Sequence, residues 1–76
     1  MTQTVTESYL LGVRDERALL SDVKKRGEYD ATFARDALAN IESTMRKGFA
    51  GDMREYFRGG RDFWRNQMKR EGVSHA

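Results

Sequence analysis

DMREYFRGGRDFWRNQMKR, residues 52–70, is the stretch whose periodicity decides the fold. Arg54, Arg58, Arg61, Arg65 and Lys69 recur there at steps of four, three, four and four. On a continuous helix those steps keep all five cations within an arc of roughly 80°. Met53, Phe57, Trp64 and Met68 fall within about 60° of one another on a neighbouring arc. Both stripes stay in phase across Gly59-Gly60, so the stretch reads as one amphipathic helix, bent or broken at the glycines. Each glycine costs about 1 kcal/mol relative to alanine inside a helix. Two versions therefore stand: one bent helix over 52–71, or helices over 52–58 and 61–71 with Arg61-Asp62 capping a new start at Phe63.

Outward from this stretch, the rest of the chain is also helical in period. Asp30 is a good N-cap for a helix over 31–47. Phe33, Ala34, Ala37, Leu38, Ile41 and Met45 form its apolar stripe, and Gly48 closes it. Phe49, two residues past the end, is placed to fold back onto the last turn. Asp52 and Glu55 resemble a capping pair for the final helix. Near the N-terminus, Thr4 and Glu7 fit a capping box that opens a helix over 5–26, and Gly27 suits its left-handed end. The apolar face of that helix is Val5, Tyr9, Val13, Leu19, Leu20 and Val23.

Glu16 falls inside that apolar arc. Either it lies at a rim and bends out to water, or it is a partly buried carboxylate paired with an arginine from another helix or subunit. Leu11 and Ala18 form a small patch on the opposite side, where two copies of the chain could meet. Residues 72–76 read as a tail. No internal repeat or low-complexity segment stands out.

These periods, with no proline and no alternating apolar–polar runs, predict an all-α fold in a single domain, 1–76. The expected architecture is a small three-helix bundle: a helical hairpin of the first two helices crossed by the amphipathic C-terminal helix. It becomes four helices if the glycines break the last. A 76-residue chain buries only about 60% of the surface its unfolded form exposes. With no cysteine there is no disulfide, and one histidine, His75, cannot build a metal site. Self-association, most simply a homodimer, is the remaining device for a marginal core. No apolar run is long enough to cross a membrane, and the N-terminus MTQTVTESYLL lacks the features of a signal peptide. A cytoplasmic location is the expectation.

The overall charge of +2 conceals an asymmetry. Residues 1–38 carry six Lys/Arg against seven Asp/Glu, whereas 46–70 carry eight against three. Catalysis is not expected. The lone histidine is in the tail, no phosphate-binding glycine frame is present, and no cofactor site is recognisable. Backbone phosphates of DNA or RNA would suit an arginine row interleaved with aromatics, but Glu55 and Asp62 flank the row and repel phosphate. A membrane surface fits less well, because glycines interrupt the amphipathic helix. Arginine, methionine and aromatics side by side are the composition enriched at protein interfaces. The expected site is therefore a partner-binding surface of Arg54, Arg58, Arg61, Arg65 and Lys69, with exposed members of Tyr56, Phe63 and Trp64 as apolar anchors. The partner expected there is a protein, and nucleic acid is the alternative.

In size, in its opening helix ESYLLGVRDERALLSDVKKRG and in its ending FRGGRDFWRNQMKREG, the chain resembles the small orphan accessory proteins of temperate phages. The resemblance covers most of the chain in overall style. It contains no motif from which a site could be carried over. It implies a regulator or inhibitor that binds a host or phage factor without catalysis.

Overall fold

The computed structural model describes residues 5–72 as three helices, α1 (Glu7–Lys25), α2 (Phe33–Met45) and α3 (Gly51–Arg70), with no strand among them. The all-α three-helix bundle is thus the observed fold. Helix α3 runs unbroken through Gly59 and Gly60, which settles the choice between one helix and two. It is the hub: α1 and α2 each lay their backbones against α3. Among the described residues α1 and α2 make no backbone contact and share only the core side chains, so the expected α1–α2 hairpin does not form and each helix pairs with α3 instead.

The reason for α3's centrality lies in its glycines. A Cβ built on Gly59 would stand 2.1 Å from the Tyr9 carbonyl oxygen, and one built on Gly12 would stand 2.0 Å from the Tyr56 carbonyl oxygen. At neither position does a side chain fit unless the helices part, so the two helix backbones cross in direct contact. The contact is reciprocal. Tyr9 Oη donates to Asp62 Oδ2 at 2.6 Å, and Tyr56 Oη donates to Asp15 Oδ2 at 2.5 Å. Residues 9–15, YLLGVRD, and 56–62, YFRGGRD, therefore form one short repeat, Y-x-x-G-x-R-D, whose two copies pair about an approximate two-fold axis. The sequence reading passed over this repeat, which shares only four positions in seven.

Around this crossing, Leu20 of α1, Ala34 and Leu38 of α2, and Trp64 and Met68 of α3 close the core. Phe33 packs its ring 5.6 Å from that of Trp64, centroid to centroid, at a tilt. Burying an indole of roughly 200 Å² at about 25 cal/mol per Å² contributes about 5 kcal/mol before the cost of ordering is counted.

Helix ends differ from expectation in instructive ways. Thr6 caps α1, its Oγ1 accepting from the Tyr9 backbone at 3.1 Å. The expected cap Thr4 lies outside the described residues. At the other end Gly27, at φ +69°, turns the chain, and the Glu28 and Gly27 amides bond back to the Val23 and Lys24 carbonyls. Asp30 holds an Asx turn instead of the cap position: its carboxylate accepts from the Thr32 amide and hydroxyl at 2.9 and 2.8 Å. Helix α2 consequently starts at Phe33, two residues later than the spacing indicates. Those hydrogen bonds, the Thr32 hydroxyl's first, hold the Asp30 carboxyl below its ordinary pKa. Ala50 occupies the N-cap of α3, and Asp52 sits within its first turn without capping it. Leu19 and Val5 are exposed, so the buried face of α1 is centred on Gly12, Glu16, Leu20 and Val23.

Candidate functional site

The unbroken α3 does align Arg54, Arg58, Arg61, Arg65 and Lys69 along one side. Their environments are not equivalent. Arg58 Nη1 lies 3.0 Å from Glu55 Oε2, and its guanidinium rests over the Tyr9 ring at 5.9 Å. Arg61 Nε lies 3.3 Å from Asp62 Oδ1, and Arg65 Nη2 lies 3.3 Å from Glu42 Oε2 of α2. Three of the five cations are thus held by carboxylates of the same chain. Arg54 and Lys69 are exposed and have no ion-pair partner among the described residues.

The aromatic residues expected to anchor a partner are placed otherwise. Trp64 is 0% exposed and fills the centre of the core, so it is not a surface anchor. Its Nε1 donates to Glu16 Oε1 at 2.7 Å. This contact also explains Glu16: the carboxylate sits in the apolar arc of α1 because an indole N–H needs an acceptor there. Glu16 lies partly exposed at the rim, and its partner is the tryptophan rather than an arginine. Phe63 is half-buried, edge-on to Trp64 at 5.1 Å. With Tyr9, Val13, Arg17, Asp62, Asn66 and Arg70 it borders a cleft of about 100 Å³ between α1 and α3. Tyr56 is half-buried in the crossing. The hydrogen bond to Asp15 and burial push its hydroxyl up to about 12. Tyr29, whose hydroxyl donates to Glu71, is likewise pushed up to about 12, first by burial and then by that bond. All three tyrosines therefore bind carboxylates and serve as struts between elements.

The apolar surface that sequence reasoning missed is at the other end of α3. Phe49 stacks on Phe57 of α3, ring centroids 5.2 Å apart, while remaining partly exposed. Met53 is 50% exposed one turn before Phe57. The short connection from α2 to α3 sets Arg46, Lys47 and Arg54, all exposed, at this same end of the bundle. The signal for it in the sequence is the pair of large apolar residues, Phe49 and Met53, bracketing a turn-forming Gly51 and flanked by three cations. Among the described residues there is no cluster of potential metal ligands, and no helix is long and apolar enough to cross a membrane. Comparison with protein-family models, with curated proteins and with solved structures returned no match to the chain.

Proposed function

We propose that the chain is a non-catalytic protein-binding module that regulates or inhibits a partner by covering part of its surface. The docking surface is the basic, apolar tip formed by Arg46, Lys47, Phe49, Met53 and Arg54, with the rest of the α3 arginine row as its flank. One observation carries this reading. Arg58, Arg61 and Arg65 are interleaved with Glu55, Asp62 and Glu42, so the row is a mixed-charge face, ill-suited to a continuous phosphate backbone. Arg46, Lys47 and Arg54, which have no ion pair among the described residues, instead lie at the same end as exposed Phe49 and Met53, with Asp52 as the one carboxylate beside Met53. This arrangement fits a protein surface with an apolar pocket rimmed by carboxylates. An accessory role of this kind is what the likeness to small phage proteins implies.

Affinity capture from the native cell, with and without nuclease, tests it. The wild type should retain a protein after nuclease treatment. Met53→Asp combined with Arg54→Glu should lose that protein while folding normally, and Asn66→Ala, elsewhere on α3, should keep it. Substitutions belong at Arg54 and not at Arg58 or Arg61, where reversal would set like charges against Glu55 and Asp62. If every captured species disappears with nuclease, and the purified chain binds mixed DNA or RNA with a steep salt dependence, nucleic acid is the partner and the proposal fails.

A further inference from the structure

Helix α1 carries a second organised face. Its inner side, with Gly12 and Glu16, is consumed by α3. Directly opposite, Glu7, Leu10, Leu11 and Arg14 line a shallow depression of about 290 Å³. Leu10 is 56% exposed and Leu11 42%. The approximate two-fold axis between α1 and α3 puts Leu10 at the place equivalent to Phe57. On α3 that place is covered by Phe49, whereas no described element covers Leu10. Arg14 reaches solvent with 73% of its side chain. Its nearest carboxylate, Asp15, stands 3.9 Å away and already accepts the Tyr56 hydroxyl. Glu7 has no ion pair among the described residues.

We propose that this face binds a second copy of the chain, α1 against α1, antiparallel about a two-fold axis through the point midway between Leu10 and Leu11. The charge pattern selects both the occupant and the direction. Glu7 and Arg14 lie seven residues, about 10 Å, apart on a helix, at equal distances from that midpoint. In the antiparallel pair Leu10 meets Leu10 of the second copy and Leu11 meets Leu11. Glu7 then meets Arg14 of the second copy at one end, and Arg14 meets Glu7 at the other, as an isologous interface requires. A parallel pair would set Glu7 on Glu7 and Arg14 on Arg14, so like charges exclude it. The patch is small, so the dimer is weak and in exchange with monomer.

Sedimentation equilibrium of the full chain tests this with four samples: wild type, Glu7→Arg, Arg14→Glu, and an equal mixture of the two variants. Wild type should rise from 8.8 kDa toward twice that mass as concentration increases. Each variant alone should stay monomeric, because both of its contacts become like-charged. The mixture should regain association, because in a mixed pair both contacts again join opposite charges. Both positions are exposed, and circular dichroism with Trp64 fluorescence verifies that the variants fold. The proposal is overturned if wild type remains at 8.8 kDa up to about 1 mM, a concentration that detects any association stronger than about −4 kcal/mol. It is equally overturned if the single variants associate as wild type does, or if the mixture stays monomeric while wild type dimerises. This surface is distinct from the α2–α3 tip, so its failure leaves the docking proposal standing.

Discussion

Two adjacent glycines in one helix should respond oppositely to the same substitution. A methyl group on Gly59 meets the Tyr9 carbonyl oxygen at 2.1 Å, the Tyr9 carbonyl carbon at 3.0 Å and the Val13 amide nitrogen at 3.2 Å, all backbone. To restore ordinary contact the helices must part by roughly 1 Å, an overpacking that costs about 1–3 kcal/mol. Parting them stretches the Tyr9–Asp62 and Tyr56–Asp15 hydrogen bonds, worth about 0.5–1.5 kcal/mol each. Alanine's better helix propensity returns about 1 kcal/mol. Gly59→Ala should therefore destabilise by about 1–5 kcal/mol, about 3 at mid-range, against the roughly 4–11 kcal/mol expected for a domain of this size. The melting temperature should fall by about 4–8 °C for each kcal/mol lost. At Gly60 the nearest atoms are the Glu16 Cγ at 3.1 Å and the Ile41 Cδ1 at 3.2 Å, side-chain atoms that need give only by a few tenths of an ångström, the Glu16 carboxylate staying on Trp64. Propensity offsets that small strain, and Gly60→Ala should remain within about 1 kcal/mol of wild type. Urea denaturation followed by fluorescence reads both, since Trp64 is the sole tryptophan and is buried. Equal stability of the two variants, or a Gly59→Ala protein as stable as wild type, would refute the close-crossing argument.

Glu16→Ala leaves the buried Trp64 N–H without an acceptor and should cost about 1–3 kcal/mol in the same assay, whereas Glu16→Gln keeps an acceptor oxygen and should cost less. Tyr29 and Tyr56 both titrate near 12 in the folded chain against 10.0 ordinarily, so the unfolded state loses these protons first as pH rises. The stability they contribute is fully present below pH 10 and is lost toward pH 12; thermal melts across that window should show a steep decline, and the Tyr29→Phe, Tyr56→Phe double variant a shallower one. Asp30, held low by Thr32, acts in the opposite sense: its contribution is present above the ordinary carboxylate range and disappears as acid protonates it, so Asp30→Asn should flatten the acid limb of the same pH profile.

The helical class and the existence of all three helices were legible because apolar spacing at 3.6 residues reports burial directly, as with Ala34, Leu38, Trp64 and Met68, whereas the helix ends, set by local caps, were not. The arrangement of the helices was not. Gly59 and Gly60 resemble breakers when propensity alone is weighed. Only the matching Gly12 on another helix shows that they admit a close crossing. Aligning YLLGVRD with YFRGGRD would have exposed that relation, yet seven residues with four identities carry little weight unless geometry supplies a reason for each. Glu16 was recognised as out of place, but the donor that explains it is 48 residues away in sequence. The candidate site moved for a related reason. Trp64 and Phe63 were needed inside by a core with few large residues, while Phe49 and Met53, at a turn, were left outside. Cation spacing indicated correctly that the arginines share a side of α3, but could not reveal that Glu42 of α2 reaches across to Arg65.

Whether the α2–α3 tip is where a protein docks is most directly measured by site-specific photo-crosslinking in the native cell. A photoreactive residue replaces Met53 in one sample and Ala39, exposed on α2, in another. Position 53 should yield one discrete, nuclease-resistant protein adduct that Arg54→Glu abolishes, and position 39 should yield none. Equal adducts from both positions, or adducts at position 53 that consist only of nucleic acid, would contradict the account.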